Sequence, residues 1–150
     1  MLKDIINYFQ LTDSITTGGQ PSEAEFESIA LAGFEVVINL GLNGTDYALA
    51  NEAGLVEKLG MRYIHIPVQW EAPTREDLDR FIEAMDANRE RKRFVHCALN
   101  MRVSVFMALY RILRLGWSYE RAIEDVHETW MPEGVWQTFI LSCVGKQGDR

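Results

Sequence analysis

The sequence predicts an α/β domain, a central and mainly parallel sheet flanked by helices. Three observations lead there. Short β-branched runs, too brief for helices, alternate with stretches of helical apolar spacing. Gly, Pro or a helix-capping residue punctuates the alternation. The last third of the chain carries three helical segments with no strand between them, so these must pack on one another and on one face of the sheet. At 150 residues and 47 % apolar, the chain has the size and composition of one domain. No repeat or Pro/Gly/Ser linker divides it, so residues 1–150 are expected to form a single unit.

The elements follow in order. Ile15-Thr16-Thr17 reads as a short strand, closed by the turn Gly18-Gly19-Gln20-Pro21. Ser22 is a good N-cap, and Glu23 and Glu25 suit the positive end of a helix dipole. That helix is expected to run to Ala32 and stop at Gly33. Phe34 to Leu40 is a β-branched run, hence a buried strand. Asp46 to Leu59 reads as a helix interrupted by Gly54 and ended by Gly60. Met61 to Val68 is a further strand. Thr74, with Asp77 three residues on, resembles a capping box. The helix it opens has Leu78, Phe81, Ile82 and Met85 at helical spacing. Arg93 to His96 is a short strand. Met101 to Leu115 is a helix apolar on nearly every face, hence central. Gly116 ends it, Ser118 caps the next, and a last helix follows Pro132 with Val135, Trp136, Phe139 and Ile140. The tail from Gly145 is polar and expected to fray.

Net charge is −7, which argues against a general nucleic-acid binder. The charge is uneven. From Arg91 to Tyr119 there is no acidic residue, yet Arg91, Lys92, Arg93, Arg102, Arg111 and Arg114 all fall there. One cationic segment in an acidic chain suggests a small anionic ligand. Two cysteines, Cys97 and Cys143, make no disulfide framework. No apolar run reaches the ~18–20 residues of a membrane span. The expected setting is a reducing cytoplasm, with neither membrane nor nucleic acid as partner.

The cationic segment holds the informative stretch, Phe94-Val95-His96-Cys97-Ala98-Leu99-Asn100-Met101-Arg102-Val103-Ser104. A strand ends, a short loop follows, and a buried helix begins. Ligands of α/β sheets bind at the carboxyl ends of strands. Loop N–H groups and a helix N-terminus cradle an anion there and stabilise a thiolate. Arg102 adds a planar fork suited to two phosphate oxygens. Ser104 could hydrogen-bond the thiolate, and His96 could hold the loop through backbone contacts. Cys143, on an apolar helix, reads as a core residue, and Trp130 and Trp136 read as core or pocket wall. His65 and His127 lack a second ligand at metal spacing, so no metal site is expected. Asp46 is a candidate to order the site's rim, but the sequence gives it no partner.

His96-Cys97, the arginine loop, the apolar helix and Ser118-Tyr119-Glu120-Arg121-Ala122-Ile123 resemble the core of dual-specificity, tyrosine-phosphatase-like proteins. Thr17-Gly18-Gly19-Gln20-Pro21-Ser22, Gly33-Phe34, Val37-Ile38-Asn39-Leu40 and Tyr63-Ile64-His65-Ile66-Pro67-Val68 resemble the small bacterial phosphatase-like family called DUF442. The resemblance spans about residues 12–141. It implies a cysteine-phosphatase-like fold and a two-step hydrolysis of a phosphoprotein or small phosphoester. Cys97 would form a phosphocysteine that water then cleaves. Arg102 and the amides of Ala98, Leu99, Asn100 and Met101 would hold the phosphoryl oxygens. No metal or other cofactor is implied, and a separate carboxylic acid would protonate the leaving oxygen.

Two departures qualify the activity. Four residues separate Cys97 from Arg102, where the usual phosphatase loop has five, and Asn100 stands where a loop Gly is usual. After Ile66-Pro67-Val68, where Asp is usual, come Gln69, Trp70 and Glu71, so Glu71 is the candidate acid. The shorter spacing resembles rhodanese loops, which carry a persulfide. Sulfur transfer through Cys97, or phosphate binding without turnover, are therefore the alternative readings. The oligomeric state is left open.

Overall fold

The computed structural model describes residues 2–148. Five strands form one sheet: β1 (Phe9–Gln10), β2 (Ile15–Gly18), β3 (Val36–Asn39), β4 (Arg62–His65) and β5 (Arg93–His96). Their spatial order is β1-β2-β5-β3-β4. The two-residue β1 is antiparallel to β2, while β2, β5, β3 and β4 run parallel. The sheet is thus mainly parallel, as expected, with β5 at its centre.

Six α-helices flank it: α1 (Glu23–Leu31), α2 (Glu52–Lys58), α3 (Arg75–Ala87), α4 (Met101–Leu115), α5 (Tyr119–His127) and α6 (Val135–Gly148). Side chains alternate across each strand, so neighbouring residues enter different cores. Val36, Ile38 and Val95 join the larger core with residues of α3, α4, α5 and α6. Val37 and Phe94 join the smaller core with Phe26 and Ile29 of α1 and Val56 of α2. Both faces of β3 and β5 are buried, which explains why β3 lies in a nearly continuous apolar run. The three final helices lie together on one face, around α4, as their lack of intervening strands requires.

The caps form as the sequence suggested. Ser22 and Glu25 make a reciprocal capping box, and Thr74 and Ser118 each accept from the N–H three residues on. The expected helix from Asp46 is shorter: residues 46–51 are not helical, and α2 begins at Glu52. Asn51 is the cap, its side chain accepting from Gly54 N–H at 3.1 Å. A Cβ on Gly54 would lie 2.5 Å from the Asn51 amide nitrogen, so this glycine makes room for the cap. The strands at 34–40 and 61–68 are trimmed to four residues each. At the C-terminus α6 continues through Gly145 to Gly148, where a frayed tail was expected; residues 149–150 of that tail lie outside the described residues.

Candidate active site

Strand β5 ends at His96, and Cys97, 1 % exposed, starts the loop that leads into α4. Asn100 turns the loop with φ 66°, a left-handed conformation that suits Gly best and Asn next. This accounts for a residue other than Gly at the loop's usual glycine position. Asn100 is also anchored: its Nδ2 donates to Asn7 O at 2.9 Å and to Thr17 Oγ1 at 3.0 Å. Asn7 Nδ2 donates to Leu99 O at 2.8 Å, and Gln20 N to Ala98 O at 2.9 Å. The segment after β2 passes so close that a Cβ on Gly19 would lie 2.4 Å from Ala98 O. The loop is therefore held from outside by the N-terminal segment and the Gly18-Gly19-Gln20 turn. Asn100 makes no side-chain cap to α4, which leaves the first-turn N–H groups of a fifteen-residue helix to face an anion.

Arg102, second residue of α4, is buried at 5 % exposure. Its Nη1 donates to Val68 O at 2.8 Å and its Nη2 to the Tyr47 hydroxyl at 3.3 Å. Two contacts orient a guanidinium that carries five donors. They also join α4 to the segment after β4 and to the loop after β3. The Tyr47 hydroxyl accepts from Leu42 N at 2.9 Å as well. Burial pushes its pKa up, but the Leu42 and Arg102 donors outweigh burial, and the net direction is below the ordinary tyrosine value.

Behind the loop, His96 is fully buried. Its Nδ1 lies 3.1 Å from Cys97 O and its Nε2 2.6 Å from Glu52 Oε2. Gln20 Nε2 donates to Glu52 Oε1 at 2.8 Å. Burial pushes the Glu52 carboxyl up, yet the contacts from His96, Gln20 and Tyr63 hold it below the ordinary carboxylate value. The expected backbone contact of His96 is present, together with an acid forty-four residues away.

Other candidate residues fall elsewhere. Ser104 does not turn to Cys97: its hydroxyl donates to Met101 O at 2.6 Å and accepts from Trp130 Nε1 at 3.0 Å. An α-helical Ser readily bonds back to the preceding turn. Glu71 is exposed and lines a groove with Ala72, Pro73, Val135 and Phe139, which neither Cys97 nor Arg102 lines. It lies three residues beyond Val68, the residue bonded to Arg102. Trp70, Trp130 and Trp136 cluster with ring centroids 5.4–6.3 Å apart, and Trp136 Nε1 ties Trp70 O at 2.8 Å. Trp136 is buried, as expected, and Trp70 is exposed. His65 bonds Gly41 O through Nε2 at 2.7 Å. Asp46 is exposed, next to Tyr47.

The sequence reading missed Glu52, Gln20 and Tyr47. Each contacts the loop's neighbours across a long stretch of chain, so no local spacing marks them. The one signal was Asn51-Glu52, a cap followed by an acid, masked by the run of helix-compatible residues before it. Beside Glu52 opens a cleft of about 810 Å³ lined by Asn43, Thr45, Asn51, Tyr63 and His65 among others.

Residues 7–137 match the family model described as DSP-PTPase phosphatase fused to NAD+ kinase. No curated protein matches the chain. Among solved structures, a DUF442 protein from Shewanella putrefaciens CN-32 is 31 % identical, with a TM-score of 0.84 over 97 % of this chain and 93 % of that one. Tk-PTP in its active form is 22 % identical, TM-score 0.77, over 93 % and 96 %. Pseudomonas aeruginosa TpbA in complex with pTyr is 17 % identical, TM-score 0.67, over 81 % and 72 %. These last two share the fold. With a central parallel sheet, a Cys-led loop into a buried helix, and a family match across most of its length, the chain belongs to the DUF442 group of dual-specificity, tyrosine-phosphatase-like proteins.

Proposed function

We propose that the chain hydrolyses phosphoproteins or small phosphoesters through a phosphocysteine on Cys97. The observation that carries this reading is the buried Cys97 at the start of a loop leading into a helix whose N-terminus lacks a side-chain cap, with Arg102 oriented in that helix's first turn. In the first step the Cys97 thiolate attacks phosphorus, the S–P bond forms and the P–O bond to the leaving group breaks. The leaving oxygen takes a proton from an acid. In the second step water attacks phosphorus, the S–P bond breaks, and inorganic phosphate leaves. Loop amides from Ala98 to Met101 and the Arg102 fork hold the equatorial oxygens. Glu71 is the proposed acid, carried on the segment that Arg102 tethers at Val68.

A phosphorylated substrate fits the family, and TpbA, of the same fold, has been crystallised with pTyr. Cytoplasmic work suits the two free cysteines. Among the described residues no helix is long and apolar enough to cross a membrane.

The test is p-nitrophenyl phosphate hydrolysis, blocked by vanadate and by Cys97→Ser. Four residues between Cys97 and Arg102 also favour a second reading, sulfur transfer by a Cys97 persulfide. Thiosulfate-to-cyanide transfer without phosphate release would replace the first reading by the second. Phosphate affinity with neither activity would leave a binding module.

A further inference from the structure

We propose that Tyr47 is a positioning residue of the site: its hydroxyl holds the Arg102 guanidinium in the orientation that receives an oxyanion at the Cys97 loop. The purpose of that orientation rests on the phosphatase reading; the contacts that produce it do not.

Arg102 is the second residue of α4. Side chains of a helix lean toward its N-terminus, which here is the end that carries the Cys97 loop. Among the described residues Arg102 has two hydrogen-bond anchors. Nη1 donates to Val68 O at 2.8 Å, and Nη2 donates to Tyr47 Oη at 3.3 Å. The first acceptor is a backbone carbonyl, which any residue at position 68 would supply. The second is a side chain, so the residue at position 47 decides whether Nη2 is held. The Val68 contact alone would leave the flat group free to swing about Nη1. A second acceptor on Nη2 fixes its plane. The Nε hydrogen and the remaining Nη hydrogens stay unspent for two oxygens of a ligand.

The loop after β3 places the Tyr47 hydroxyl for this contact. Asn39 Oδ1 accepts from Gly41 N at 2.7 Å, and His65 Nε2 meets Gly41 O at 2.7 Å. Gly41 is thus pinned from both β3 and β4. The Tyr47 ring lies close against it: a Cβ on Gly41 would stand 3.2 Å from Tyr47 Cε1. Thr45 Oγ1 donates to Leu42 O at 3.2 Å, and Leu42 N donates to Tyr47 Oη at 2.9 Å. The hydroxyl is therefore fixed by its own loop as well as by Arg102. Burial raises the Tyr47 pKa, and the Leu42 and Arg102 donors bring it below the ordinary value all the same.

A phenylalanine at position 47 keeps the ring and its packing. It removes the one side-chain acceptor of Arg102 and leaves the cation on a single contact. Each bound anion must then fix the guanidinium itself, and part of the binding free energy goes into that ordering. Tyr47 acts in this way through Arg102, without a contact to the anion.

The test reads binding of tungstate, a tetrahedral oxyanion, by calorimetry, and needs no turnover. Tyr47→Phe should weaken tungstate binding about tenfold, with the thermal midpoint of the free protein near wild type. Unchanged affinity would overturn the proposal. Arg102→Lys keeps a cation but no planar fork. In that background Tyr47→Phe should change the affinity by less than about twofold, because the group it positions is gone. Additive losses would overturn the positioning role and place Tyr47 on the anion itself. Wild-type protein alone gives a further reading if Tyr47→Phe does not fold. In ¹⁵N NMR, with Arg102 assigned by the signals missing from Arg102→Lys, the two Nη2 hydrogens should appear as separate resonances. A single averaged resonance would show a guanidinium that nothing holds at Nη2, and would overturn the proposal. So would wild-type protein that binds no tungstate. Failure of the phosphatase reading alone would appear differently, as intact tungstate binding and an intact Tyr47–Arg102 coupling with no phosphate release.

Discussion

At the residue scale, Cys97, Arg102 and Asn100 carry separable roles. Cys97→Ser should abolish p-nitrophenyl phosphate hydrolysis while leaving the thermal midpoint close to wild type, because Ser is nearly isosteric. Arg102→Lys should lower kcat/KM by about 10²-fold. A lysine has no planar fork to hold Val68 O, the Tyr47 hydroxyl and a phosphoryl group together. Asn100 separates conformation from contact. Asn100→Ala meets both the left-handed backbone at φ 66° and the loss of the Asn7 and Thr17 anchors, whereas Asn100→Gly meets only the second. The Gly variant should exceed the Ala variant in stability by about 1 kcal/mol in urea unfolding. Much of this was readable from spacing, because nucleophile, loop and arginine are sequence neighbours. Glu52 was not, since what reveals it is a contact with His96 across the fold, made by a residue that looked like mid-helix surface.

At the element scale, the short helix α2 matters more than its seven residues suggest. It brings Glu52 beneath the loop, and its start is set by Asn51. Gly54→Ala should force the Asn51 side chain out of its capping position, 2.5 Å from the new methyl. The expected cost is about 1 kcal/mol, the usual worth of an N-cap, against the small gain in helix propensity that Ala normally brings. Thermal unfolding of Gly54→Ala beside Asn51→Ala would show the two losses overlapping. An additive pair would mean that the cap is not what Gly54 accommodates. The sequence showed α3, α4 and α5 with their starts in place, the first and last of them at the side-chain caps Thr74 and Ser118. It over-extended α2 because helix-compatible residues precede the true cap, and the Tyr47 hydroxyl, which accepts from Leu42 N and from Arg102, ties that stretch into a loop.

At the scale of the whole molecule, the Glu52 carboxylate links folding to pH. Its pKa is held below the ordinary value near 4.5. A depressed acid stabilises the fold above its unfolded pKa, and that stabilisation is lost as pH falls through the folded value. The stability gap between wild type and Glu52→Gln should therefore be full at pH 7 and shrink below about pH 4; a gap constant down to pH 3 would contradict it. The larger core depends on Phe106, fully buried among Phe81, Trp136 and Phe139. Phe106→Ala should cost about 3–5 kcal/mol by urea unfolding.

The first strand has a consequence outside catalysis. Two residues of antiparallel pairing, Phe9 and Gln10 opposite Thr17 and Thr16, cover the outer edge of β2. A sheet edge left bare is a template for strands of other molecules. The segment that braces the Cys97 loop through Asn7 thus also shields part of that edge, and a proteolytic nick near Leu11 would loosen both.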